Sequence, residues 1–205
     1  KAGAVQYLCP GVGGWNRWIN LIESSYLNIT RMCGYGRKHG AIGILNTDWG
    51  DYAHINHPDF STIGLIYGAS FSWNSEPITF EEINKEISRI EFGDKSEVFV
   101  DIVARMAPLS VFQWVVAAEY REKLLRGDSE EDRKSLLDNF SIEEANRANE
   151  ELLHLEKKLL GSIKDLSIKK RREARAYEIA AHGMRLFNSI GSLIYSYNKR
   201  ELKDT

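Results

Sequence analysis

The chain has 205 residues, of which 43% are hydrophobic and 27% charged, the composition of a globular protein with one moderate domain or two small ones. Its 27 lysines and arginines balance 29 aspartates and glutamates to a formal net charge of -2, so no general field draws nucleic acid or an anionic membrane to it. No apolar run approaches the roughly 20 residues of a membrane helix, and the N-terminus lacks the basic, apolar, small-residue order of a signal peptide. The compartment stays open between cytoplasmic and secreted. Cys9 and Cys33 are the two cysteines, too few for a disulfide framework or a zinc ribbon, and they read as free, partly buried thiols.

Residues 4–9, AVQYLC, predict a strand that stops at Pro10, and Gly11, Gly13 and Gly14 make a flexible loop after it. Trp18, Ile22, Tyr26 and Ile29 then recur at helical spacing, with Asn28 suited to break the helix as an N-cap. This helix ends in the region of Gly34, Gly36 and Gly40. Residues 41–45, AIGIL, are a short apolar run without alternation, as expected of a strand covered on both faces in a parallel sheet. After a polar loop, residues 61–73 read as a helix with Ile63, Tyr67, Ala69 and Phe71 available for packing. The order strand, helix, strand, helix amounts to two βα units.

The character of the chain changes near Pro77, beyond which glycine becomes sparse and charged helix formers take over. Thr79-Phe80-Glu81-Glu82 and Ser141-Ile142-Glu143-Glu144 both fit the capping box, in which a hydroxyl and a carboxylate satisfy orphan backbone donors at a helix start. Ile83, Ile87 and Ile90 follow the first; Leu152, Leu155 and Leu159 follow the second. That leucine seam suits an internal core or a short coiled coil with another chain. Residues 99–125 are more apolar, interrupted by Pro108, and are expected deepest in the bundle. Gly127-Asp128-Ser129 forms the next loop. A last long helix is expected over residues 172–199, with Met184, Phe187, Ile190, Ile194 and Tyr197 as its stripe. The basic run Lys169-Lys170-Arg171-Arg172 is followed by Glu173 and Glu178 and lacks interleaved aromatics, so it reads as a solvated helix end. Residues 78–205 therefore read as a bundle of four or five helices.

Residues 43–57, GILNTDWGDYAHINH, set an apolar run against two acids, a tryptophan and two histidines. In βα architectures such a loop, at the carboxyl end of a parallel strand, carries the ligand site. Phosphate binding is set aside: Gly34-Tyr35-Gly36 follows a helix, and the Gly11 loop lacks a P-loop lysine. Asp48, Asp51, His54 and His57 offer carboxylate and imidazole donors for a metal. His-x-x-His in a loop does not by itself align two rings, however, so capping and turn hydrogen bonds are the simpler reading and no metal is assigned. Asp48 and Asp51 also make good turn chemistry with Gly50. Carbohydrate binding is the remaining reading. Sugars present apolar C–H faces ringed by hydroxyls, so an aromatic platform beside a carboxylate suits them, and Trp49 with Asp51 supplies one of each. Tyr7, Trp15 and Trp18 come from the neighbouring strand and its loop.

YLCPGVGGWNR, NI, GAIGILNTDWGDYAHIN and GLIYGASFSWN, spread over about residues 4–75, resemble the end of the catalytic barrel in bacterial family 20 glycoside hydrolases, the β-N-acetylhexosaminidases. TDWGD is the most specific part. The resemblance implies that residues 1–77 hold the last two βα units of a (β/α)8 barrel, which with the helical bundle read over 78–205 makes a mainly α chain. It implies that Trp49 packs on a terminal N-acetylhexosamine of a glycan, that Asp51 hydrogen-bonds its outer hydroxyls, that Tyr7 orients the acetamido group, and that Trp15 or Trp18 completes the aromatic wall. The family's chemistry is retaining and substrate-assisted, without a cofactor: a glutamic acid protonates the leaving oxygen while the preceding aspartate holds the acetamido group that attacks the anomeric carbon. No Asp-Glu dipeptide occurs here, and the reversed Glu131-Asp132 lies in a helical region. The resemblance therefore implies the C-terminal fragment of a longer hydrolase, with substrate-binding residues, no catalytic residue of its own and no activity alone. The open edges of a lone strand pair predict self-association. The alternative is a noncatalytic helical interaction module with a remnant barrel segment.

Overall fold

In the computed structural model, which describes residues 3–50 and 54–201, the two strand signals contract to a minimal pair. Strand β1 (Tyr7–Leu8) runs parallel to β2 (Gly43–Ile44), with Tyr7 opposite Gly43 and Leu8 opposite Ile44. Pro10 has no N–H to extend the ladder, and contact resumes only as a bridge between Gly11 and Thr47. The β2 run is not covered on both faces, because Ile42 and Leu45 are exposed while Ile44 packs on the core.

Helix α1 (Ile22–His39) runs unbroken through Asn28, whose Oδ1 accepts a hydrogen bond from Gly11 N (3.0 Å) instead of capping a helix. It stops at Gly40, where φ of 71° needs the left-handed region that glycine enters freely. Helix α2 (Thr62–Trp73) follows the 3₁₀ turn Pro58–Ser61. Tyr26 of α1 meets Tyr67 and Phe71 of α2 edge-on at 5.7 and 5.6 Å between ring centroids, and its hydroxyl donates to Ile78 O (2.7 Å).

Helix α3 (Phe80–Ile90) begins with the complete capping box: Glu82 N donates to Thr79 Oγ1 (3.2 Å) and Thr79 N to Glu82 Oε2 (3.0 Å). Thr79→Ala is expected to cost about 1 kcal/mol of stability in urea unfolding, the usual worth of such a cap. Ile83 and Ile87 are buried but Ile90 is exposed, so the stripe is one turn shorter than its spacing predicts.

Helix α4 (Phe99–Met106) carries Phe99, Val100, Val103 and Met106 into the core. The chain then breaks at Ala107–Leu109 and restarts as α5 (Trp114–Arg126), which buries no residue fully. The expected deep segment is thus deep through α4 and at Phe112, but not along α5. By length and composition Phe99–Arg126 would qualify as a membrane-crossing stretch, against the sequence reading. The break divides it into two shorter helices. Gly127 closes α5 and Ser129 starts α6 (Glu130–Lys134), its Oγ accepting from Asp132 N (3.1 Å).

Helix α7 (Ile142–Ser162) lies against α8 (Ile168–Glu201). Ser141 Oγ accepts from Glu144 N (3.2 Å) but donates to Glu143, so half of the second capping box forms. Leu152, Leu155 and Leu159 are fully buried inside the chain's own core, which excludes the coiled-coil reading of that seam. On α8, Met184 is buried, Phe187, Ile190 and Ile194 pack on a second cluster around Phe112 and Phe140, and Tyr197 is exposed. The basic run is partly internal: Lys170 pairs with Glu91 (2.5 Å) and Glu173 (2.9 Å), and Arg171 donates to Lys164 O (2.8 Å). Lys169, Arg171 and Arg172 are exposed, and Lys170 is half-buried.

One hydrophobic cluster joins Ile19, Ile63 and Tyr67 to Phe99, Leu155 and Tyr177, with Phe60 stacked on Tyr177 at 3.9 Å. This packing corrects the barrel expectation. The sheet has two strands of two residues each and is neither closed nor curled. A barrel strand needs partners on both sides, whereas here α1 and α2 contribute their apolar faces to one core shared with α4, α7 and α8. The protein is a predominantly helical fold carrying a small parallel strand pair, not the end of a (β/α)8 barrel.

Candidate functional site

The loops that follow β1 and β2 are tied together at their base. Thr47 N and Oγ1 both donate to Pro10 O (2.7 and 2.8 Å), and Val12 N donates to Thr47 O (3.0 Å). Beneath them runs a polar chain that is buried at Asn20, Asn56 and Ser61 and ends at the exposed Asp48. Ser61 Oγ donates to Asp48 Oδ2 (2.5 Å), Asn20 Nδ2 to Val12 O (2.9 Å) and Ser61 Oγ (3.3 Å), and Asn56 Nδ2 to Asn20 Oδ1 (2.8 Å). Away from water such bonds hold their partners firmly, since breaking one strands a buried polar atom. The chain fixes both loops to the start of α2.

On this base stand two indoles. Trp49 is 57% exposed and Trp15 54% exposed. Trp49 Nε1 donates to Thr47 Oγ1 (2.9 Å), which sets the plane of its ring. Both tryptophans line a pocket of about 250 Å³, together with Gly11, Gly13, Gly14, Ser24, Ser25 and Asn28. Asn28 Oδ1 is engaged by Gly11 N, and Ser25 Oγ donates to Leu21 O (2.8 Å). Asn28 and Ser24 both line this pocket, and an amide N–H pair and a hydroxyl are groups able to donate to a ligand.

The residues singled out in the sequence therefore have different fates. Trp15 and Trp49 come together. Tyr7 is 65% exposed on β1, with its ring over Gly43, outside the pocket wall. Trp18 packs into the bundle against Phe187 (5.5 Å) and over Gly183, where a Cβ would lie 2.4 Å from its ring. Asp51 lies outside the described residues. Ser24, Ser25 and Asn28 escaped the sequence reading because they sit on a helix whose face toward the loop is set by tertiary packing.

Of the metal donors considered in the loop, Asp51 lies outside the described residues, and the other three are engaged separately. Asp48 serves Ser61, His57 Nδ1 accepts from Asp59 N (3.3 Å), and the His54 ring packs on Gly50 with its Nδ1 buried and unpaired. Among the described residues, the donor atoms that do cluster belong to Glu156, Glu178 and His182 on α7 and α8. Glu131-Asp132 is part of the short helix α6, where Asp132 is bonded to its own cap, Ser129.

No family model matches the chain, and no match was found among curated proteins or solved structures. The resemblance to family 20 glycoside hydrolases is accordingly withdrawn, together with the hydrolase activity it implied. Among the described residues there is no barrel, and the sequence has no adjacent Asp-Glu pair.

Proposed function

We propose that this protein is a noncatalytic helical interaction module whose Trp15–Trp49 cleft takes a carbohydrate, with a terminal N-acetylhexosamine of a glycan as the ligand class. The observation that carries this reading is two half-exposed indoles lining one pocket whose remaining described lining is backbone, hydroxyl and amide, without a charged side chain. Indole faces complement the C–H face of a pyranose. Neutral donors complement its hydroxyls without selecting for an anion or a cation. Because Thr47 already orients Trp49, little freedom is lost when a sugar stacks on it.

Titration of the intrinsic tryptophan fluorescence with β-linked N-acetylglucosamine oligosaccharides tests this. A saturable change is expected, with the sugar recovered intact. Trp49→Ala removes about 60 Å² of apolar contact, worth roughly 1.5 kcal/mol, and is expected to weaken binding about tenfold. A flat titration at millimolar sugar, or equal affinities in Trp49→Ala, Trp15→Ala and wild-type protein, would overturn the reading.

A further inference from the structure

Where α7 and α8 run side by side, Glu156 of α7 meets Glu178 and His182 of α8. From this constellation we infer a binding site for a divalent transition-metal ion of the zinc type, held by one imidazole nitrogen and two carboxylate oxygens. It stands apart from the tryptophan cleft and does not depend on the carbohydrate reading.

Glu178 and His182 are four residues apart, so they project from one face of α8. Glu156 reaches the same point across the helix interface, and one donor atom from each residue lies within 4.8 Å of the others. Glu156 is buried, at 7% exposure, so its position is set by packing. His182 Nε2 and Glu156 Oε1 are 2.5 Å apart. An ion at about 2.0 to 2.2 Å from both atoms, with tetrahedral angles, would part them to roughly 3.3 Å. The half-exposed His182 side chain can make that adjustment by a small rotation.

The outer contacts suit this use. Arg185 Nη1 donates to Glu156 Oε2 (2.7 Å) and Arg175 Nη1 to Glu178 Oε2 (2.7 Å). Each carboxylate is thereby held through its Oε2, as outer partners aim metal ligands; Glu156 Oε1 faces His182 Nε2, and an ion entering between these two atoms replaces their hydrogen bond. The two guanidinium charges also oppose a cation, which points to affinity on the order of micromolar, not nanomolar. Mixed nitrogen and oxygen donors favour Zn²⁺ and its neighbours in the transition series, whereas Mg²⁺ and Ca²⁺ ask for about six oxygens. With His182 toward solvent, a fourth position stays open to water. An ion here would cross-link α7 to α8 in the folded state only, and so raise its stability by mass action.

The test uses the full chain, stripped of metal by dialysis against a chelator and titrated calorimetrically with zinc chloride. One ion per chain is expected, together with a higher melting temperature, and Mg²⁺ is expected to give neither. His182→Ala, an exposed substitution that leaves the core intact, and Glu178→Gln are each expected to weaken zinc binding at least about tenfold and to abolish the thermal shift. Circular dichroism confirms that both variants remain folded. Absence of saturable binding at zinc concentrations on the order of 100 µM would overturn the site. So would one-to-one binding that neither substitution changes.

Discussion

Leu155→Ala is expected to destabilise the protein by about 3 to 5 kcal/mol, the cost of opening a cavity in a packed core that relaxes only in part. Leu155 is fully buried within the same cluster as Leu152, Leu159, Val103 and Tyr177, where α7 meets α4 and α8. The loss is an intramolecular one, so urea unfolding of variant and wild type should show the same difference at every protein concentration. A difference that grows on dilution would place the leucine seam between chains. Far-ultraviolet circular dichroism should show the native helix signal retained below the transition, since the cavity weakens packing without removing helical hydrogen bonds.

The second large effect belongs to Asp94, a fully buried acid in the turn between α3 and α4. Its Oδ1 accepts from Ser96 N (3.0 Å) and Ser96 Oγ (2.6 Å), and its Oδ2 from Val98 N and Phe99 N (both 2.8 Å). These are the orphan donors of the α4 start, and Phe99 takes them into the core with it. Burial pushes the carboxyl upward, but the hydrogen bonds from Ser96, Phe99 and Val98 outweigh it and leave the folded value below that of an ordinary aspartate. Asp94→Ala strands several buried donors at once and is expected to cost about 2 to 4 kcal/mol near neutral pH. The lowered folded value sets the sign of the pH dependence. The stabilisation is fully present above the unfolded aspartate value of about 3.9, and is lost as pH falls through the folded one. Wild type and variant should therefore converge in acid, as measured by urea midpoints from pH 7 downward. A gap that stays constant through that range would show that the carboxylate charge contributes nothing to the turn.

Helix positions in the second half are legible because their signals are local. Thr79 and Glu82 close their box with atoms three residues apart, and the helical period of Leu152, Leu155 and Leu159 names a buried face whichever neighbour covers it. Pro108 likewise announces a break through its own missing N–H. The depth of the segment beyond that break is not legible. Its apolar composition points inward, yet α5 buries no residue fully, because depth depends on where the redirected chain lands. In the first half, the apolar runs around Tyr7 and Ile44 point to strands, but their number of partners is a property of the whole fold. The barrel reading took them as the last two strands of an eight-stranded barrel, whereas they form a two-stranded sheet that is neither closed nor curled.

For the candidate site, the sequence by itself determined that aromatic and polar residues would gather in the loops after two short strands, since Pro10 stops the first and the polar residues from Asn46 onward follow the second. Only the tertiary structure decided which of them meet. Trp15 and Trp18 are three residues apart, yet one stands in the cleft with Trp49 and the other is packed against Phe187 of α8. Likewise Glu156 gains its neighbours Glu178 and His182 only through the pairing of α7 with α8. Local order fixes the direction in which each side chain leaves its own helix or loop. The identity of what it faces comes from the burial of apolar surface between distant segments, and no pattern within a single segment carries that information.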